Sequence, residues 1–166
     1  MKRHLILVRH AQSRNTEPGK KDIERELTDS GIQDASRLAR YMYLEDLIPE
    51  VIMTSHATRA KDTAQLFAEQ LKMDHSDIKE DEELYEASVR TLLSFITKLD
   101  NTLKSVLIIG HNPSLTHLCE HLSKDIIGFL PPASMVHLTF NDLEWSKLDK
   151  GTGQLEEIKL PDQISL

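Results

Sequence analysis

The chain has 166 residues, 39% hydrophobic and 28% charged, a balance that suits a single globular domain spanning residues 1–166. No apolar stretch approaches the ~20 residues that cross a bilayer, and the run Leu5-Ile6-Leu7-Val8 is stopped by Arg9-His10 too early for a secretory leader, so no membrane partner is expected. The 20 basic and 27 acidic residues give a formal charge of −7, which disfavours nucleic acid, and the single cysteine, Cys119, excludes an internal disulfide framework and fits a reducing, cytoplasmic compartment.

Strand-like apolar runs alternate with helix-period segments along most of the chain. Residues 4–8 read as a buried strand, followed by a charged loop over 9–26. Thr28 or Asp29 can cap a helix to about Tyr43, with Ile32, Ala35, Leu38, Ala39 and Met42 on one face. A short strand is predicted over 51–54, then a helix over about 57–72 with Ala57, Ala60, Ala64, Phe67 and Leu71 recurring every three or four residues. Residues 78–83 read as a short strand or loop, and Val89, Leu92, Leu93, Ile96 and Leu99 mark a third helix. The β-branched run 105–109 is the clearest later strand, and Leu115, Leu118, Cys119 and Leu122 give the helix after it. Beyond Pro131-Pro132 the period becomes two over 135–140, and Gly151-Thr152-Gly153 supplies turn chemistry for a terminal hairpin with 155–160. The expected fold is α/β: a three-layer α/β/α sandwich whose central sheet is mainly parallel, with an antiparallel C-terminal edge.

In such sheets ligands bind outside the carboxyl ends of the strands. His10 follows the first strand directly and His111 follows the 105–109 strand, so the two imidazoles face one crevice if those strands are neighbours. Arg9 accompanies the first histidine, and Arg59 lies in the first turn of the second helix, where a cation is electrostatically out of place. Basic groups converging on one crevice repel each other unless an anion is expected there. Phosphate suits them, because guanidinium forks grip its oxygens and a neutral imidazole can attack phosphorus.

The residues that form this cluster also carry a family resemblance. Leu7-Val8-Arg9-His10-Ala11-Gln12-Ser13 resembles the Arg-His-Gly signature of the histidine phosphatase superfamily, which also contains the phosphoglycerate mutases. Leu27-Thr28-Asp29-Ser30-Gly31 resembles its Leu-Thr-x-x-Gly helix start, and residues 54–64 resemble its Ser-Pro-x-x-Arg-Ala-x-x-Thr-Ala segment. Ile109-Gly110-His111-Asn112-Pro113 resembles its second-histidine motif. The four matches occur in family order, and the short length is most similar to the SixA-type phosphohistidine phosphatases.

The resemblance implies a phosphoglycerate mutase-like fold and a phosphatase with no cofactor and no metal. His10 would take the phosphoryl group, while Arg9, Arg59 and His111 would hold its oxygens. Ser13 and Asn15 would touch phosphate, although Thr16 occupies the family's Asn position and Asn15 stands one residue early. Glu86 is the positional candidate for a general acid, against the alternative that it only adds negative charge before a helix. Two departures are Ala11 in place of Gly and His56 in place of Pro. The implied partner is a phosphorylated small molecule or a phosphohistidine protein. A mutase-like or sugar-phosphate phosphatase remains an alternative, as does a non-catalytic phospho-binding module. His117 and His121 have a zinc-like i, i+4 spacing, but no third ligand accompanies them. Cys119 and Trp145 read as packing residues.

Overall fold

A computed structural model of the chain describes residues 1–165. Strand β1 (Lys2–Arg9) runs into the centre of a sheet and ends one residue before His10. Helix α1 (Asp29–Leu44) is capped by the Thr28 side chain, which accepts from the Gly31 amide, and it buries Ala35, Leu38, Ala39 and Met42. Ile32, expected on the same face, is 41% exposed, in a surface depression beside Leu27, Asp62 and Leu66. Gly31 is the close-approach residue of that turn: a Cβ there would lie 2.2 Å from the Gln12 carbonyl oxygen.

Strand β2 (Val51–Thr54) leads to α2 (Thr58–Gln70), and the three-residue strand β3 (Ile78–Glu80) follows. Helix α3 (Val89–Thr97) is capped by Ser88, whose hydroxyl accepts from the Thr91 amide. Strand β4 (Ser105–Gly110), α4 (Ser114–Ser123), β5 (Met135–Asn141) and β6 (Gln154–Lys159) complete the order. The six strands lie in the order β3-β2-β4-β1-β5-β6. The first four are parallel, while β5 pairs antiparallel with both β1 and β6. The expected mainly parallel sheet with an antiparallel C-terminal edge is therefore what the chain forms.

Strand side chains alternate between two cores. Ile6, Val8, Ile52, Leu107 and Ile109 meet α1 and α2 on one face. Leu5, Leu7, Val106, Ile108, Val136 and Leu138 meet α3 and α4 on the other, where Cys119 and Trp145 are fully buried. Burying such β-branched and leucine side chains is worth ~1.5–3 kcal/mol each, which is why the central strands carry almost no polar residues. The expected terminal hairpin forms between β5 and β6, through a long connection. Residues 142–153 hold a 3-10 turn at Trp145–Lys147, and the Gly151 and Gly153 amides donate to the His121 and Leu122 carbonyls at the end of α4. Those glycines serve the helix end as well as the turn. Among the described residues no helix is long and apolar enough to cross a membrane.

Candidate active site

Because β1 and β4 are parallel neighbours in register, with Arg9 opposite Gly110, the residues after them emerge side by side. The His10 amide donates to the Gly110 carbonyl at 3.0 Å, and the Ala133 amide donates to the carbonyls of Arg9 and His10. This clamp sets the His10 and His111 rings 5.1 Å apart, centroid to centroid, with planes inclined at 54°. They share a cavity of about 340 Å³ with Arg9, Gln12, Ser13, Asp22, Arg25, Arg59, Tyr85 and Glu86 in its wall.

The His10 ring is held by the shortest route available. Its Nδ1–H donates to the Ala11 carbonyl at 2.7 Å, which leaves the lone pair on Nε2. The Ala11 amide donates to Thr63 Oγ1 at 3.1 Å, and Thr63 in turn donates to the Arg59 carbonyl, so α2 braces the loop that carries the histidine. The Ala11 methyl is fully buried in the core below, a position where the extra carbon over glycine is absorbed by packing. His56 stands edge-on to Tyr85, with ring centroids 5.5 Å apart.

Both imidazoles are neutral at physiological pH. Burial is the main cause: it lowers His10 to about 4, with Arg59, Arg9 and Arg25 acting in the same direction and the Ala11 bond opposing. His111 is lowered to about 3 by burial first, then by the neighbouring His10 and Arg59. Its Nε2 lies 2.7 Å from Ser55 Oγ at the end of β2.

The arginines arrive from three directions. Arg9 Nη1 donates to the Leu130 carbonyl at 2.8 Å, and Asn112 donates to the same carbonyl. Arg59, in the first turn of α2, is 5% exposed and donates to the Asp22 carbonyl oxygen at 2.8 Å and to Asp22 Oδ2 at 3.0 Å. Arg25 donates from Nε to the Arg14 carbonyl, from Nη1 to Asp22 Oδ1 and from Nη2 to Ser13 Oγ. The Nε atoms of both Arg9 and Arg59 are buried with no protein acceptor.

Of the residues singled out in the sequence, Arg9, His10, Ser13, Arg59, Glu86 and His111 line this cavity. Asn15 does not. Ser13 forms a bridge with Leu27, which turns the following residues outward, so Asn15 is exposed beside Arg14, Glu17 and Lys20 in a separate shallow depression. Glu86 is exposed with φ +52° and sits two residues before the Ser88 cap, outside the first turn of α3. Asp22, Arg25 and Tyr85 were not foreseen. The signal for the first two was present as an acid–base pair at i, i+3, but only the 3-10 turn Asp22–Glu24 brings it into the cavity. His121 pairs with Asp149, and among the described residues no three His, Cys, Asp or Glu side chains are placed to hold a metal ion.

The chain belongs to the histidine phosphatase superfamily, whose branch 1 model matches residues 5–93. Among solved structures, the candidate phosphohistidine phosphatase SixA of Agrobacterium tumefaciens is similar, with a TM-score of 0.82 at 24% identity over 96% of this chain and 98% of that one. The protein histidine phosphatase SixA in complex with tungstate has a TM-score of 0.81 at 20% identity, covering 96% of this chain and 97% of that one. A mycobacterial glucosyl-3-phosphoglycerate phosphatase is more distant, with a TM-score of 0.68 at 16% identity over 94% and 98% of the two chains. At these identities the likeness is one of fold. An uncharacterized chloroplastic protein of Arabidopsis thaliana is 36% identical over 61 residues, which is 37% of this chain and 28% of that protein's length.

Proposed function

We propose that the protein is a metal-independent phosphatase that passes the phosphoryl group through His10 and acts on phosphohistidine or on phosphomonoesters with good leaving groups. The observation that carries this reading is the state of His10. It is a neutral ring with its proton tied to the Ala11 carbonyl and its Nε2 lone pair free, in a cavity walled by three arginines. Nε2 attacks phosphorus while the P–O or P–N bond breaks, and the electron pair leaves with the departing group. The ring becomes cationic, and the Nδ1–H bond to Ala11 strengthens as it does. Arg9 and Arg59 neutralise the phosphoryl oxygens, and His111, anchored at Nε2 by Ser55 Oγ, stands beside them in the same cavity. Water then attacks phosphorus, the P–N bond breaks and its electrons return to Nε2.

Two carboxyl groups line the cavity. Asp22 already accepts three hydrogen bonds and is held at about 2, first by Tyr85 and then by Arg25 and Arg59, so it stays ionised. Glu86 is the positional candidate to protonate a departing oxygen, a contribution of ~10²–10⁴-fold where the leaving group needs it. A phosphohistidine imidazole or an aryl oxide needs little such help. The shared fold with a protein histidine phosphatase that holds tungstate, a tetrahedral oxyanion, supports the reading. The test is hydrolysis of p-nitrophenyl phosphate in excess EDTA. Turnover should persist with chelator and fall by roughly a thousandfold or more in His10→Ala. Loss in EDTA with recovery in magnesium would overturn the metal-free mechanism.

A further inference from the structure

The loop between β1 and α1 brings a carboxylate into the cavity that the arginines line. Asp22 Oδ1 accepts from Arg25 at 3.1 Å, while Oδ2 accepts from Arg59 at 3.0 Å and from the Tyr85 hydroxyl at 2.7 Å. The Asp22 backbone carbonyl takes the other terminal nitrogen of Arg59 at 2.8 Å. One residue thus receives both ends of the Arg59 fork, although each terminal nitrogen keeps a second N–H for a ligand. The Arg59 side chain is 7% exposed and that of Asp22 is 45% exposed. The guanidinium is buried, and the carboxylate that orients it stands at the water-accessible side of the cavity.

Charge accounting gives this arrangement a consequence. Arg9, Arg25 and Arg59 contribute three positive charges to the cavity wall, and both imidazoles are neutral. A phosphoryl dianion would leave one positive charge uncompensated. The Asp22 carboxylate removes that excess before any substrate arrives.

We propose that Asp22 is a positioning and specificity-determining residue. It aims Arg59 and trims the positive charge of the phosphoryl seat, so that inorganic phosphate leaves readily and phosphoesters bearing a second anionic group are disfavoured. This rests on the reading of the cavity as a phosphoryl-transfer site. A wall with all three cations uncompensated would bind any polyanion; with Asp22 in place, a second carboxylate or phosphate beside the phosphoryl group meets repulsion. Simple phosphoryl groups attached to a neutral ring, as in phosphohistidine or aryl phosphates, meet none.

The test is Asp22→Asn, which keeps the shape and an acceptor oxygen but removes the charge, with Asp22→Glu as the charge-retaining control. Three quantities are read: inorganic phosphate binding by calorimetry, orthovanadate inhibition, and the ratio of kcat/KM for 3-phosphoglycerate to that for p-nitrophenyl phosphate. Asp22→Asn should bind phosphate and orthovanadate about three- to fivefold more tightly, the size of a partly exposed ion pair. It should raise the 3-phosphoglycerate ratio by a similar factor, and Asp22→Glu should stay near wild type in both. Weaker phosphate binding, or an unchanged ratio, in an Asp22→Asn protein that still turns over the aryl ester would overturn the role of Asp22 alone. A wild-type protein that binds neither phosphate nor orthovanadate would overturn the phosphoryl-transfer reading and this inference with it.

Discussion

His10 should titrate far below the ordinary histidine range, and its neutral ring should carry the proton on Nδ1. The ring is 8% exposed, so forming the imidazolium means charging a group that water barely reaches, beside Arg59, Arg9 and Arg25. Burial and these cations, opposed by the Ala11 hydrogen bond, bring it to about 4 from 6.5. At pH 5.5 an ordinary histidine is about 90% protonated, whereas one at about 4 is roughly 3% protonated, so the nucleophilic form is some tenfold more abundant than composition alone would suggest. The direction matters for the fold as well. A lowered histidine takes up its proton more readily in the unfolded chain, so its contribution to stability is intact above about 6.5 and is lost as pH falls toward 4, by about 3 kcal/mol. The assay is long-range proton–nitrogen NMR of the imidazoles from pH 7.5 to 5, with the His10 signal identified among the 8 histidines by its disappearance in His10→Ala. The expected signal has the Nδ1-protonated pattern and moves little over that range. A His10 signal with a midpoint near 6.5, or a neutral ring protonated on Nε2, would refute the preformed nucleophile.

Two further outcomes follow from contacts at the loop. Arg59→Ala should weaken competitive inhibition of aryl phosphate hydrolysis by orthovanadate by roughly tenfold to more than a hundredfold, the ~1.5–3 kcal/mol of a charge-assisted hydrogen bond; an unchanged inhibition constant would place Arg59 outside the phosphoryl seat. Gly31→Ala should lower the urea midpoint by an amount equivalent to ~1–3 kcal/mol, because its methyl would sit 2.2 Å from the Gln12 carbonyl that already accepts the Thr28 amide; an unaltered midpoint would show that the first turn of α1 can move away from Gln12 freely.

What was legible in the sequence follows from how local each signal is. His10 and His111 stand directly after apolar runs, so their place at strand ends could be read from hydrophobicity alone, and their meeting needed only that β1 and β4 be neighbours. Arg59 could be read because a cation in the first turn of a helix is a local anomaly. Residues 11–28 have no hydrophobic period, so which of them face the cavity was not legible there: Ser13 lines it and Asn15 does not. Asn15 was expected at phosphate only from the resemblance, one residue off the family's position, and the Ser13–Leu27 bridge, a pairing that spans 14 residues, lies between it and the cavity residues. Asp22 and Arg25 look like a solvated pair until Arg59 and Tyr85 reach them from two other parts of the chain. Tyr85 gave no signal of its own, since its contacts with Asp22, His56 and His111 all come from distant parts of the chain.

The order of strands in the sheet has a consequence for synthesis of the protein. β4 lies between β2 and β1, and β5 covers the other side of β1, so the strand that carries His10 has neither neighbour until residues well past 100 exist. His10 is made 101 positions before His111. At ~5–20 residues per second the ribosome would spend about 5–20 s between them. During that time Leu5, Ile6, Leu7 and Val8, all fully buried in the finished sheet, have no strand partner. The strand that carries His10 therefore has to wait, apolar and unpaired, until β4 and β5 have been made.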